Sequence, residues 1–245
     1  MLPSRSVSEP VGPSAYDTWH ASLDVNEGAD DPWYQLVREE LDLARDIGGR
    51  RVLEIGCGRG GFACWLAERT PPPAEVVAVD YSSVAVEKGR AHAVARGVNG
   101  ISWATGDIQA IDQPDASFDS VFSCETIEHV PDPFKAVSEL ARILKPGGRL
   151  FLTAPNYLGP LGLYRGYLRL RGRRFMEVGQ PINQFTLLPR TLLWLRRTGL
   201  KIENIRGVGH YLPVPGRSPM RLQWLDSSLV KWFALHVMTV ARKPQ

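Results

Sequence analysis

The chain has 245 residues, of which 44% are hydrophobic and 22% charged, a composition typical of a globular domain. Its formal net charge of +3 does not indicate the concentrated basic surface of a nucleic-acid binder. Three cysteines without CxxC spacing indicate neither a disulfide framework nor a zinc knuckle. No segment has the apolar character of a signal peptide or a membrane span. We therefore expect a cytoplasmic protein.

The first 49 residues are predicted to form a tail and a helical cap. Residues 1–14 mix Ser, Pro and Gly, which favours a flexible tail, and residues 15–49 are assigned to the cap. In the stretch 33–47, apolar residues recur at helical spacing, and the helix is expected to stop at Gly48-Gly49.

Residues 50–245 are predicted to form one domain in which short apolar strands alternate with helices. The expected elements are strand 51–55, helix 60–69, strand 75–79, helix 82–96, strands 101–104 and 120–123, helix 133–144, strand 149–154, helix 187–198, strand 200–205, a helix within 220–231 and strand 234–241. This alternation predicts an α/β fold with a doubly wound, mostly parallel sheet. The stretch 156–184 is longer than usual connections, so we expect an insertion that forms a lid or a binding surface.

The first strand leads into a glycine loop with the spacing Gly56-x-Gly58-x-x-Gly61. This spacing indicates a tight turn that a ligand can approach closely, and it occurs in dinucleotide enzymes too. An NAD-dependent oxidoreductase is therefore one interpretation. The neighbouring charges decide against it, because Glu54, Asp80 and Asp107 are expected at the ends of successive strands, where they would repel a pyrophosphate.

A donor with a cationic amino group, a sulfonium, a ribose and an adenine suits these carboxylates better. Glu54 would face the amino group, Asp80 would accept both ribose hydroxyls, and Asp107 would accept from the adenine amine. The backbone N–H of Ile108 would meet an adenine ring nitrogen. The predicted cofactor-binding residues are Glu54, Gly56, Cys57, Gly58, Gly61, Asp80, Tyr81, Gly106, Asp107, Ile108, Cys124 and Glu125. Cys57 and Cys124 are also interpreted as small packing residues.

Four motifs carry a family resemblance: VLEIGCGRGGFACWLA, VVAVDYS, GDIQAIDQPDASFDSVFSCETIEHVPDP and LARILKPGGRLFLTAPN. Together they resemble the class I S-adenosylmethionine-dependent methyltransferases, in the branch of ubiquinone-biosynthesis-like O-methyltransferases. The resemblance implies a Rossmann-like sheet of seven strands in the order 3-2-1-4-5-7-6, with the last strand antiparallel. It also implies S-adenosylmethionine as cofactor and S-adenosylhomocysteine as product.

Methyl transfer to a hydroxyl needs alignment of the acceptor and removal of a proton. His129, just past the fourth strand, is the candidate base; alternatively, its ring packs on the cofactor or caps the following turn. Glu125, Glu128 and His129 also resemble the metal-binding ExxEH of small-RNA 2′-O-methyltransferases. Those enzymes supply a further histidine downstream, where GQPINQFT has none, so we do not expect a metal.

Aromatic and basic residues outside the shared core are the candidates for binding the acceptor. The predicted substrate-binding residues are Tyr16, Trp19, His20, Tyr157, Arg165 and His210. Within the insertion, five arginines interleave with Tyr and Leu, namely Arg165, Arg169, Arg171, Arg173 and Arg174. They indicate an anionic or lipid-like acceptor or a lipid headgroup surface at a peripheral membrane contact. The alternative is a solvated amphipathic helix whose apolar face covers the active site.

The favoured function is methylation of a small-molecule acceptor at a hydroxyl oxygen. An RNA 2′-O-methyltransferase is the nucleic-acid alternative, and a catalytically silent cofactor-binding subunit is another. Methylation of adenine in DNA is disfavoured because Ser123-Cys-Glu-Thr126 replaces the [Asp/Asn]-Pro-Pro-aromatic tetrad that holds a flipped base.

Overall fold

The structure is a computed structural model that describes residues 12–23, 29–173, 179–212, 220–226 and 229–245. The strands are β1 Arg51–Ile55, β2 Glu75–Asp80, β3 Ile101–Thr105, β4 Phe118–Cys124, β5 Leu144–Pro155, β6 Lys201–Val208, β7 Tyr211–Leu212, β8 Met220–Arg221 and β9 His236–Arg242. The α-helices are α1 Pro13–Ser22, α2 Pro32–Glu40, α3 Leu43–Asp46, α4 Gly61–Ala67, α5 Ser83–Ala95, α6 Pro133–Ile143, α7 Pro160–Leu170 and α8 Leu188–Arg197.

Seven of the strands in the described residues form one sheet in the order β3-β2-β1-β4-β5-β9-β6. The pairs from β3 to β5 are parallel, whereas β9 runs antiparallel to both β5 and β6. The strands β7 and β8 form a separate two-stranded ribbon. The doubly wound fold and its predicted strand order are therefore confirmed, with β9 as the antiparallel seventh strand.

Two apolar layers cover the sheet, and the alternation of side chains along each strand assigns residues to them. In β1, Leu53 and Ile55 pack in the layer that contains residues of α6 and α8. Val52 packs in the opposite layer, with residues of α2 and α4. Glu54 shares the face of Val52, so its carboxylate is directed into the layer of α2 and α4.

Three expected elements differ from the structure. The stretch 33–47 is divided into α2 and α3, because Asp42 accepts a hydrogen bond from the Arg45 amide and caps a new helix. The stretch 220–231 is not a single helix, since its described residues form β8 and short 3-10 turns. The predicted tail lies outside the described residues up to position 11, and α1 begins at Pro13, inside the predicted range.

Helix α1 lies over the carboxyl ends of the strands and is tied to the glycine loop and to α5. The Asp17 carboxylate accepts hydrogen bonds from the Ser82 hydroxyl at 2.6 Å and the Val84 amide at 3.2 Å. The bond from Ser82 lowers the pKa of Asp17. At the other end of α1, Lys88 donates to the His20 carbonyl at 2.8 Å. Helix α1 therefore forms part of one wall of the space above the sheet.

Candidate active site

A cavity of about 790 Å³, part of it open to solvent, lies at the carboxyl ends of the parallel strands. Ligands bind at this edge in open α/β sheets. Twelve predicted site residues are on its wall: Tyr16, Trp19, His20, Gly56, Gly58, Asp80, Tyr81, Gly106, Asp107, Ile108, Glu125 and His129. Seven further described residues that were not predicted also line it: Ile55, Gln109, Thr126, Val130, Pro131, Gln180 and Ile182.

The glycine loop lets the backbone itself form the floor of the cavity. Gly56 has a φ of +77°, and a Cβ at this position would lie 2.2 Å from the Thr126 hydroxyl oxygen. A side chain there is therefore excluded both by conformation and by space. Gly58 has a φ of +52° and turns its amide toward β2, where it donates to Asp80 at 2.8 Å.

Asp80 is the last residue of β2, and both oxygens of its carboxylate accept hydrogen bonds. One oxygen accepts from the Gly58 amide, and the other accepts from the Ser82 amide at 2.9 Å. A carboxylate has about four acceptor sites, so two remain for ligand hydroxyls. The His20 ring nitrogen Nε2 lies 3.9 Å from Asp80. Burial lowers the pKa of His20 against the opposing effect of Asp80.

Asp107 follows β3 in a tight turn on the same wall. One of its oxygens accepts from the Gln109 amide at 2.8 Å and from the Gln109 side chain at 3.2 Å. The side chain of Ile108 is buried. Tyr81 lies near this carboxylate, and its phenol has a pKa raised by burial and by Asp107.

The other four predicted cofactor-binding residues, Glu54, Cys57, Gly61 and Cys124, are buried and not on the cavity wall. Glu54 is 1% exposed, and its carboxylate oxygens have no hydrogen bond of ordinary geometry among the described residues, although the nearby Ala63 backbone acts to lower its pKa. Burial, reinforced by Asp80, raises the pKa of Glu54 well above its usual range. Burial likewise raises the pKa of the Cys57 and Cys124 thiols, which suits packing residues better than nucleophiles.

The part of the cavity wall formed by the described residues is negatively charged. It carries the carboxyl groups of Asp80, Asp107 and Glu125, and no lysine or arginine among the described residues lines it. The basic residue of the glycine loop, Arg59, is directed elsewhere: its guanidinium donates to the His20 carbonyl at 3.1 Å and to the Leu23 carbonyl. The cavity therefore favours a cationic ligand over a pyrophosphate.

His129 ends a 3-10 turn, Ile127–His129, that follows β4. Its Nδ1 lies 2.8 Å from the Ile182 carbonyl oxygen. A carbonyl oxygen only accepts, so Nδ1 must carry a proton and Nε2 is the nitrogen that can receive one. The Tyr16 hydroxyl donates to the His129 carbonyl at 2.6 Å. Burial raises the pKa of Tyr16, which keeps this hydroxyl protonated.

The ExxEH side chains do not converge on one point. Glu125 has a φ of +49° and is paired with Nδ1 of His236 at 2.7 Å. Glu128 lies 3.5 Å from His129 Nε2. Within the described part of the chain, no three His, Cys, Asp or Glu side chains are grouped so that they could hold a metal ion.

The structure does not bring three predicted substrate-binding residues to the cavity. Tyr157 is buried against Phe185, with ring centroids 5.0 Å apart. Arg165 donates to Asn183 at 2.9 Å. The Nδ1 atom of His210 lies 2.8 Å from Oδ1 of Asp226. Each has polar or aromatic partners away from the cavity, which explains its position.

The insertion 156–184 contains α7, in agreement with the amphipathic-helix alternative. None of the described residues of α7 lines the cavity, whereas Gln180 and Ile182, further along the insertion, do. Arg169, Arg171 and Arg173 are exposed, and Arg174 lies outside the described residues. Among the described residues, no helix is long and apolar enough to cross a membrane.

Comparison with known proteins gives one consistent family. Residues 53–152 match the model of the methyltransferase domain family. A ubiquinone biosynthesis O-methyltransferase of Xanthomonas euvesicatoria is 32% identical over 208 residues, which cover 80% of this chain and 81% of that protein. The 27-O-demethylrifamycin SV methyltransferase of Amycolatopsis mediterranei is 33% identical over 168 residues, covering 66% of this chain and 58% of that protein.

A solved structure agrees at the level of the fold. It is a chain from the complex between the Haloferax volcanii Trm112 methyltransferase activator and the putative methyltransferase, with a TM-score of 0.68 and 20% identity over 96% of this chain and 98% of that one. Three observations agree with one another: the order of the strands in the sheet, the acidic cavity above the glycine loop, and the extent of the sequence match. The chain belongs to the S-adenosylmethionine-dependent methyltransferase family that includes the ubiquinone biosynthesis O-methyltransferases.

Proposed function

We propose that this protein transfers a methyl group to a hydroxyl oxygen of a small-molecule acceptor inside the cavity at the carboxyl edge of the sheet. The observation that carries the proposal is the set of carboxylates on the cavity wall beside His129, with no described lysine or arginine among them. The names of the two relatives from Xanthomonas and Amycolatopsis refer to small molecules, ubiquinone and demethylrifamycin SV. One of the two is named as an O-methyltransferase. S-adenosylmethionine supplies a methyl group that is already activated for displacement.

The residues of the carboxyl edge fit this donor. Asp80 has acceptor sites left for two ribose hydroxyls, and the turn at Asp107 and Ile108 offers an acceptor and an amide for the adenine. The buried carboxylate of Glu54, which has no hydrogen bond of ordinary geometry among the described residues, is suited to the ammonium of the methionine portion, directly or through a water molecule. Because Glu54 is not on the cavity wall, the second arrangement agrees better with its position.

His129 is proposed to accept the proton of the acceptor hydroxyl on Nε2. The carbonyl of Ile182 fixes the ring orientation and the protonated Nδ1. The neighbouring Glu128 carboxyl, 3.5 Å from Nε2, favours the imidazolium that forms when the proton arrives. This arrangement supports the base over the alternative in which the ring only packs on the cofactor.

The acceptor group that enters the cavity is proposed to be uncharged and partly apolar. Trp19, Val130, Pro131 and Ile182 provide apolar wall, and Gln180 provides an amide. A phosphate or carboxylate on the reacting end would add negative charge to a cavity whose wall already carries three carboxyl groups, and charges of the same sign repel. Any anionic part of the acceptor would therefore stay outside the cavity.

The outer surface of α7 is proposed to contact an anionic lipid surface, which would suit a lipid-like acceptor. Its side chains Leu163 and Leu170 are 78% and 88% exposed, and Tyr164 and Tyr167 are about half exposed. The exposed residues Arg169, Arg171 and Arg173 extend the same segment. Exposed apolar side chains beside arginines match the chemistry of a membrane interface.

Sedimentation with vesicles tests the membrane contact. We expect binding to vesicles that contain phosphatidylglycerol, weaker binding at high salt, and loss of binding in Leu170→Ser. Val94→Ser is the matched control, because Val94 is 79% exposed on α5. Equal binding to neutral phosphatidylcholine vesicles, or no binding to either kind, would argue against an anionic lipid surface.

The function itself is tested with a methyl-labelled donor and a panel of phenols and alcohols. We expect label to be transferred to hydroxylated compounds and not to the same compounds with the hydroxyl already methylated. Transfer to RNA, with a steep dependence of RNA binding on salt, would overturn the small-molecule assignment. Cofactor binding without transfer to any acceptor would favour a catalytically silent subunit.

A further inference from the structure

The segment 182–184 runs beside the loop that contains His129 and forms several hydrogen bonds with it. The Ile182 carbonyl accepts from His129 Nδ1. The Gln184 amide donates to the Glu128 carbonyl at 2.7 Å, and the Gln184 side chain donates to the Val130 carbonyl at 3.2 Å. The orientation of the imidazole is therefore set by a segment about fifty residues further along the chain.

Arg165 of α7 forms two hydrogen bonds with Asn183, the middle residue of that segment. Its Nη1 donates to the Asn183 side-chain oxygen at 2.9 Å, and its Nη2 donates to the Asn183 carbonyl at 3.1 Å. The Tyr157 hydroxyl donates to the same Asn183 side-chain oxygen at 2.9 Å.

The guanidinium also lies 4.7 Å from the Tyr157 ring centroid and 5.3 Å from that of Phe185. A planar cation with several donors suits both the paired hydrogen bonds and the aromatic contacts, whereas a lysine ammonium can supply only a point charge. The site therefore depends on arginine specifically.

We propose that Arg165 is a positioning residue for methyl transfer: it holds segment 182–184 so that the Ile182 carbonyl keeps a proton on His129 Nδ1 and leaves Nε2 as the proton acceptor. This inference rests on the proposed role of His129 as the base. Arg165 is not on the cavity wall, so it acts on the reaction through Ile182 and His129. It also differs in role from the exposed arginines that follow it in the insertion.

Removal of the guanidinium changes the balance between the two neutral forms of the imidazole. With segment 182–184 displaced, Nδ1 has lost its carbonyl acceptor, and the form protonated on Nε2 becomes populated. That form cannot accept a proton at Nε2. Displacement of catalytic groups by about 1 Å can cost on the order of 100-fold in rate, so we expect kcat to fall about 10- to 100-fold while cofactor affinity is retained.

The test uses Arg165→Met and Arg165→Lys in the full chain, with Arg196→Met as the matched control because Arg196 is exposed on α8. Nitrogen-15 NMR of the imidazoles reports which ring nitrogen carries the proton, and His129→Gln identifies the His129 signals among the five histidines. Calorimetry with S-adenosylhomocysteine and kcat for a phenol acceptor are measured on the same samples.

We expect Nδ1 of His129 to be protonated in the unchanged protein and in Arg196→Met, and a mixture of both forms in Arg165→Met, with Arg165→Lys between them. A folded Arg165→Met with an unchanged His129 spectrum overturns the proposal. If Arg165→Met does not fold, Asn183→Ala, which removes the shared side-chain acceptor, must shift the spectrum in the same direction or the proposal fails. A shifted spectrum with unchanged kcat would show that Arg165 orients the ring of His129, but it would refute the role of Arg165 in methyl transfer and the role of His129 as the base.

Discussion

Replacement of Asp80 by alanine should separate cofactor binding from the stability of the fold. Two acceptor sites of the carboxylate already bind the amides of Gly58 and Ser82, which leaves two for the ribose. Hydrogen bonds to a charged group contribute about 1.5–3 kcal/mol each. Loss of two should therefore cost about 3–6 kcal/mol, or roughly 10²- to 10⁴-fold in Kd.

The same substitution removes the acceptor of two buried amides, so the protein should also lose stability. Asp119→Ala is the matched control, because Asp119 accepts from the Arg51 amide at 3.0 Å and from Lys145 at 2.8 Å at the opposite edge of the sheet. Calorimetry should show weakened S-adenosylhomocysteine binding in Asp80→Ala alone, whereas thermal melting should show destabilisation in both. A folded Asp80→Ala whose Kd stays within about threefold of the unchanged protein would refute the ribose assignment.

Three further predictions address the base, the buried carboxylate and the core. His129→Gln should lower kcat by about 10²- to 10⁴-fold with little change in S-adenosylhomocysteine affinity by calorimetry; loss of affinity with an intact rate would contradict the base. Because the folded pKa of Glu54 is raised, its protonated form stabilises the fold at low pH, and urea denaturation without cofactor should show the free energy of unfolding falling as pH rises above about 4.5. Glu54→Gln should flatten that decline, and parallel pH curves for the two proteins would count against it. Arg149→Met should cost about 3 kcal/mol in urea denaturation, since Arg149 Nη1 lies 2.6 Å from Oδ2 of the buried Asp46. Arg45 Nε also lies 2.8 Å from Asp46 Oδ1, so a loss below about 1 kcal/mol would contradict the prediction and show that Arg45 compensates fully.

Local sequence could predict the sheet and the acids at its edge. Strand ends can be predicted from short apolar runs, and the carboxyl ends of parallel strands share one edge of the sheet. Asp80 and Asp107 can therefore be placed at the same edge before any contact between them is known. The side-chain direction of Glu54 is also encoded, since it alternates with Leu53 and Ile55. That periodicity directs it into the layer of α2 and α4, a consequence that the charge argument alone did not include.

The rest of the cavity depends on contacts that have no local signal. Glu125 and His236 are 111 positions apart in the chain, and nothing in either neighbourhood indicates the pair. Gln180 and Ile182 reach the wall only because the insertion folds back beside His129.

The charge of Arg165 favoured a role in ligand binding. In the structure, however, its guanidinium donates to Asn183 and packs against two aromatic rings of the protein itself. An arginine in the sequence has the same appearance whether its partner is a substrate or another part of the chain. The five arginines of the insertion therefore could not be sorted by role before the fold was known.

A crystal structure of the protein with bound S-adenosylhomocysteine would locate the donor relative to these side chains. We expect the ribose hydroxyls within hydrogen-bond distance of Asp80, the adenine at Asp107 and Ile108, and the sulfur directed toward the wall that carries His129. An adenosine bound away from Asp80, or a sulfur facing away from His129, would refute the proposed mode of cofactor binding.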